Sequence, residues 1–290
     1  MTQTVGRHPY LKRWLARLLA ALAFGMLSVP AGAEEDCLEV GVFPYLTPGA
    51  ILKLYQPLGA FLQKRLKRPV LLVTAPNHRI FLERTLRHEY PLLLTAPHYA
   101  RLAQQQAGYL PLLVAGGAIQ PVLVVAANGP DSVAGLKGRV VAIPDPLALV
   151  TLAGSDYLRR AGLRPGRDVT LRVMPSHSAA LHVVAEGEVA AALTATLVLK
   201  TIPEAISARL RTLAEMPSQS SLVYLASPQW PPAEARVLAA ALLEFAHHTS
   251  EGRGLMAASG QRELRPALES DLKAVEVFMP RLRELLKETR

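Results

Sequence analysis

A single cysteine and two tryptophans, in 290 residues of which 19% are charged, mark what this chain has little of. One cysteine excludes an intramolecular disulfide and a C-x-x-C redox pair. Cys37 reads as a bland buried or edge residue, with a lone reactive thiol as the alternative. Enzymatic signatures are missing too: there is no G-x-S-x-G elbow, no H-E-x-x-H and no P-loop. GPDSVAGLKG, residues 129–138, misses the P-loop spacing. GRGLMA, residues 252–257, copies half of a dinucleotide fingerprint but follows a helical pattern instead of a strand. His247 and His248 are adjacent, so on a helix they point to different faces and suit a metal badly. These absences argue for no catalytic residues, no metal and no cofactor. Past residue 33, charges or prolines interrupt every apolar run before it reaches membrane length.

What is present begins with a leader pattern. Arg7, Lys12, Arg13 and Arg17 precede an apolar stretch over residues 18–27, and Ala31-Gly32-Ala33 supplies small residues for cleavage. The apolar stretch is too short to span about 30 Å of hydrocarbon. A signal peptide over 1–33, cut after Ala33, is expected, with export to the periplasm and no stable membrane insertion afterwards. Cys37 has no lipobox around it. Without the leader's four basic residues, 28 of the 32 Lys+Arg face 23 Asp+Glu, a net charge of +5. That charge is modest and scattered. Nucleic acid is not an expected partner, because a binding stripe would cluster with aromatics.

Beyond the leader the chain alternates apolar runs with amphipathic segments. Strands are expected at 38–43, 70–74 and 91–94, with helices at 50–66, 79–87 and 99–106. A β-branched run, 121–127, leads into the turn-rich NGPDSVAGLKG, and the alternation begins again. Strands are expected there at 140–143, 171–174 and 189–193, with helices at 149–161 and 179–186. RTLAEMPSQSSLVYLASP after Leu210 reads as a return strand pair, followed by helices at 233–247 and from 271 to the end. The pattern predicts an α/β protein of two lobes, each a mostly parallel sheet flanked by helices. Residues 37–120 plus 212–290 would form one lobe and 125–208 the other, with crossings near 120 and 210.

Leu94-Thr95-Ala96 and Leu193-Thr194-Ala195 are like-built strand ends, each after a helix and a turn. In open α/β sheets ligands bind beyond the carboxyl ends of strands, where helix N-termini offer free N–H groups. The polar residues on such rims are Tyr45, His78, Thr95, Tyr99, Thr151, Ser176 and His177, with Thr194 at the edge. Simpler roles exist for several. Ser176 suits an N-cap, Thr95 and Thr194 can satisfy backbone groups, Tyr99 can face the core, and His78-Arg79 can be a solvated helix start. Arg79 at a helix N-terminus opposes the dipole, which favours an anionic partner for it.

The segments VGVFPYL, YQPLGAFLQKRLKRPVLLVTAPN, TAPHYARLA, LKGRVVAIPDP and PSHSAALHVVAEGEVAAALT, in this order, resemble the periplasmic phosphate/phosphite/phosphonate-type solute-binding proteins of ABC transporters. The resemblance runs from about residue 38 to beyond 225. It implies the two-lobed type II periplasmic binding fold, closing like a hinge on a small ligand. It further implies an oxyanion such as phosphonate, phosphite or phosphate, a transporter permease as partner, and a monomer. Ser176-His177 falls on the family's Ser/Gly-His at a helix start, and an aromatic position falls on His78. The family's hydroxyl-rich Ser-Thr-Ser-Gly falls on Leu147-Ala148-Leu149-Val150-Thr151, leaving Thr151 and backbone N–H groups. Its acidic residue for an amine falls near 194–196, which disfavours an aminophosphonate. A sensing module for a membrane histidine kinase is the alternative reading, and an enzyme on the same fold a third.

Overall fold

A computed structural model describes residues 37–288. The leader expected over 1–33 lies outside the described residues. In chain order the first elements are β1 (Leu38–Val42), α1 (Pro48–Leu66), β2 (Val70–Val73), α2 (His78–Leu86), β3 (Leu92–Thr95), α3 (Pro97–Ala107), β4 (Leu110–Ala115), β5 (Ala118–Ile119) and β6 (Pro121–Ala126). Next come β7 (Val140–Ile143), α4 (Leu149–Arg160), β8 (Thr170–Val173), α5 (His177–Ala185), β9 (Ala191–Ala195), α6 (Thr196–Leu199), α7 (Glu204–Ser207) and β10 (Leu210–Glu215). The chain continues through β11 (Gln219–Ser220), β12 (Val223–Ala226), α8 (Pro232–His248), α9 (Ser250–Ala258), β13 (Leu264–Pro266), α10 (Glu269–Lys273) and α11 (Met279–Lys287). Among the described residues no helix is long and apolar enough to cross a membrane.

Two sheets organise the molecule. The first has the order β13-β4-β12-β3-β1-β2 and the second β10-β6-β9-β7-β8. In the first, β1 pairs in parallel with β2 and β3, while β12 runs antiparallel to β3 and β4. In the second, β7 pairs in parallel with β8 and β9, and β6 runs antiparallel to β9 and β10. Most strands in each sheet thus share a direction, and their carboxyl ends open onto one rim. This is the two-lobed α/β architecture of type II periplasmic binding proteins.

The lobes repeat one design. β1, β2, α2 and β3 correspond to β7, β8, α5 and β9, with the same strand order. β3 is buried at all four positions, as a central strand covered on both faces must be. In the second lobe the two faces of the sheet hold separate cores, one around Leu123, Ile143 and Leu193, the other around Val124, Ala142 and Val184. Gly154 on α4 lets this helix approach β9 closely, because a Cβ there would lie 2.2 Å from Leu193 Cδ2.

A third, small sheet stands apart from these two. β5 and β11 form a two-stranded antiparallel ribbon, Gln219 opposite Ile119 and Ser220 opposite Ala118. The Gln120 amide donates to the Met216 carbonyl, and the Ser218 hydroxyl to Gln120 Oε1. β10 runs on to Glu215, paired with β6 in the second sheet. The expected return strand pair is different, because β10 and β12 belong to different sheets. The single C-terminal helix expected from 271 breaks into α10, a 3₁₀ turn over Glu276–Phe278, and α11. Pro280 in the first turn of α11 lacks the N–H that a continuous helix would need.

Candidate functional site

The rim is built by four helices that start just past strand ends. Asn77 and Ser176 cap α2 and α5 in the same way. Asn77 Oδ1 accepts from Ile80 N at 2.9 Å, and Ser176 Oγ accepts from Ala179 N at 3.1 Å. Both caps have extended backbone and follow a proline, so Pro76-Asn77-His78 and Pro175-Ser176-His177 are the same device in the two lobes. Each therefore delivers a histidine as the first residue of a helix. α3 begins with Pro97, whose missing N–H costs nothing at that position.

The lobe-1 wall carries a hydrogen-bonded chain that crosses into lobe 2. Tyr99 Oη donates to the Leu147 carbonyl at 2.9 Å and lies 3.0 Å from His78 Nδ1. His98 Nε2 lies 3.0 Å from the same carbonyl. A carbonyl can only accept, so His98 carries its proton on Nε2. Since the Tyr99 hydroxyl proton goes to Leu147, His78 Nδ1–H must be the donor to Tyr99 Oη. Leu147 sits in the loop after β7, and Asp145 Oδ1 accepts the Leu147 N–H at 2.7 Å. Leu147, Leu149 and Leu152 are buried in the same hydrophobic cluster as the core of the first lobe. This apolar segment after β7 thus packs across the lobes.

Burial sets the protonation of these rings. It lowers the His78 pKa, partly offset by the Asp145 carboxylate. It takes His98 down to about 3, offset in part by the Leu147 carbonyl, and His177 down to about 4, with the neighbouring His78 adding to the effect. Tyr99 is raised well above the usual phenol range by burial and by Asp145. At neutral pH the three imidazoles are therefore uncharged. Asp145 acts on His78 and Tyr99, and His78 in turn on His98 and His177.

The other expected residues take distinct roles. Thr194 is fully buried on β9, and its Oγ1 lies 3.1 Å from His177 Nδ1. Thr95 and Thr151 are buried, and neither hydroxyl has a hydrogen-bond partner. Tyr45 Oη bonds Tyr55 Oη at 2.9 Å, and its ring stacks on Phe43, whose ring in turn lies 6.2 Å from His78. Ser176 spends its hydroxyl on the cap, and its side chain is exposed. Arg79 is directed elsewhere than at an anion in the cleft. Its guanidinium donates to the Leu285 and Leu286 carbonyls at the end of α11. Cys37 is exposed. An apolar groove of about 390 Å³ lined by Met174, Val183, Ile202 and Ile206 lies beside α5.

Sequence reasoning set His98 on the same rim as Thr95 and Tyr99 without carrying it into the site, and it passed over the Leu147 carbonyl. The histidine had a visible signal, its place in the first turn of α3 beside Tyr99. The carbonyl had none, because any residue supplies one. The Pro-x-His repeat was legible as well, at 76–78 and 175–177.

Residues 40–272 match the family described as the periplasmic substrate-binding protein of phosphonate ABC transporters. Solved structures share the fold at low identity. XAC2383 from Xanthomonas citri, bound to chloride ion, is 17% identical over 86% of this chain and 99% of its own, with a TM-score of 0.75. PhnD1 from Prochlorococcus marinus, in complex with methylphosphonate, is 15% identical over 86% and 99%, also at 0.75. The periplasmic aliphatic sulphonate binding protein SsuA from Escherichia coli is 18% identical over 87% and 94%, at 0.61. No curated protein sequence matches the chain.

Proposed function

The chain belongs to the periplasmic substrate-binding proteins of phosphonate ABC transporters, and from that premise we propose that it holds a compact tetrahedral oxyanion between its lobes. The carrying observation is the matched pair of helix starts. His78 on α2 and His177 on α5 occupy equivalent positions in the two lobes, and His78 lies close enough to lower the ionisation of His177. Free N–H groups at these two starts and at α3 and α4 suit an anion, and the dipoles favour it. The buried, unpartnered hydroxyls of Thr95 and Thr151 add one donor from each lobe. Neutral imidazoles replace fixed cations, so the anion is held by directed hydrogen bonds more than by net charge.

Closure would rotate the lobes about the paired β5–β11 ribbon and deliver the loaded protein to a transporter permease. The lobe boundaries follow the sheets, at Gln120 on the way out and between Glu215 and Val223 on the return. Titration calorimetry with methylphosphonate tests the reading. His177→Ala should weaken binding ten- to hundredfold, the equivalent of about 1.5–3 kcal/mol for a hydrogen bond to a charged group. Equal affinity in variant and native protein would refute the assignment of His177.

A further inference from the structure

We infer that the cleft selects an oxyanion still carrying a proton, because the side-chain donors of His98, Tyr99 and His78 are consumed in the chain that ends on the Leu147 carbonyl and leave ring nitrogens that can only accept. The inference rests on the oxyanion reading above and names the ionic form of the ligand. Leu147 O takes the Nε2–H of His98 and the hydroxyl proton of Tyr99. Tyr99 Oη then takes the Nδ1–H of His78. What remains on the two neutral rings is a lone pair each, His98 Nδ1 and His78 Nε2. His98 Nδ1 is buried and has no partner, an acceptor waiting for a donor.

Asp145 adds to the same side of the balance. Its Oδ1 holds the Leu147 N–H, and its negative charge acts on both His78 and Tyr99. On α5 His177 is bonded to Thr194, and on the loop after β1 Tyr45 is bonded to Tyr55. Among the described residues, the charged and titratable groups that act on the three imidazoles are Asp145, on His78, and His78, on His98 and His177. A doubly deprotonated oxyanion would set bare oxygens against these acceptors and a carboxylate. A singly protonated one donates its hydroxyl to an acceptor while its other oxygens take the helix N–H groups and the Thr95 and Thr151 hydroxyls. Phosphonates offer that form near neutral pH, since a phosphoryl group's second ionisation lies at about 6 or somewhat above. A sulfonate carries no such proton.

Calorimetric titration of the native protein with methylphosphonate and with methanesulfonate, from pH 6 to pH 8.5, tests the inference. At pH 6 methylphosphonate should bind at least tenfold more tightly than methanesulfonate. Its affinity should then fall about tenfold per pH unit once the dianion dominates, while that of methanesulfonate stays nearly level. Asp145→Asn keeps an oxygen for the Leu147 N–H, and it should shrink the pH 6 preference several-fold. A methylphosphonate-to-methanesulfonate ratio that does not change with pH would overturn the selection while leaving oxyanion binding intact. A common decline of both ligands would place the proton on the protein's rings and overturn it too. If neither ligand binds at pH 6, this inference and the oxyanion reading fall together.

Discussion

Replacing Tyr99 by Phe removes one oxygen and tests the chain of donors on which the site rests. Tyr99 is 1% exposed, so its ring stays packed in the variant. The Leu147 carbonyl keeps His98 as its donor, but His78 Nδ1–H loses its acceptor, and the interlobe contact loses one of its two bonds. Two hydrogen bonds at about 0.5–1.5 kcal/mol each give a loss of about 2 kcal/mol. For a chain of this size, 1 kcal/mol moves the melting temperature by about 2–4 °C, so a fall of about 4–8 °C is expected in a thermal scan at pH 7. Tyr109→Phe provides the calibration within the same fold. Its hydroxyl donates to one group only, the Tyr90 carbonyl at 2.8 Å, and it should cost about half as much. A Tyr99→Phe melting temperature within a degree of the native value would refute the His78–Tyr99–Leu147 chain. It would also remove the basis for the tautomers of His78 and His98.

Acid should destabilise the fold through its buried imidazoles. His98 and His177 have folded-state pKa values of about 3 and about 4 against 6.5 for a free histidine. Depressed values mean that the stabilisation is complete above 6.5 and is lost as pH falls toward the folded values. Between pH 7 and 5.5 each ring should cost about 1 kcal/mol, readable by denaturant titration. His98→Gln should flatten that slope by about half, and an unchanged slope would show that His98 is not buried neutral. Gly154→Ala should cost about 1–3 kcal/mol by overpacking, because the new methyl meets Leu193 inside a closed core. A neutral result there would mean that α4 sits farther from β9 than described.

Much of the first half of each lobe was readable because local signals agreed. The apolar runs at β1, β3 and β7, the caps Asn77 and Ser176, and the terminating glycines after α3, α4 and α5 all pointed the same way. β4 escaped notice because Pro111 interrupts its apolar run and no polar alternation marks a face. The partner sheets of β10 and β12 were not readable, since β10 is half-apolar, β12 is apolar throughout, and only long-range pairing assigns them. The site was legible as a set of rims, from strand ends and helix starts. Its internal order was not. Which way the imidazole protons of His78 and His98 point depends on one backbone carbonyl, 49 residues from His98. The loop at 147–150 could be read as hydroxyls lost, yet its apolar side chains become part of the contact between lobes.

A crystal structure of the protein grown with methylphosphonate at pH 6 tests the central claim most directly. The expected result is one phosphonate between the sheets, within hydrogen-bond distance of the N–H groups opening α2 and α5 and beside His177, with Thr95 or Thr151 donating to it. A phosphonate bound outside the space between the two lobes, or a fully occupied ligand that touches neither α2 nor α5, would contradict it.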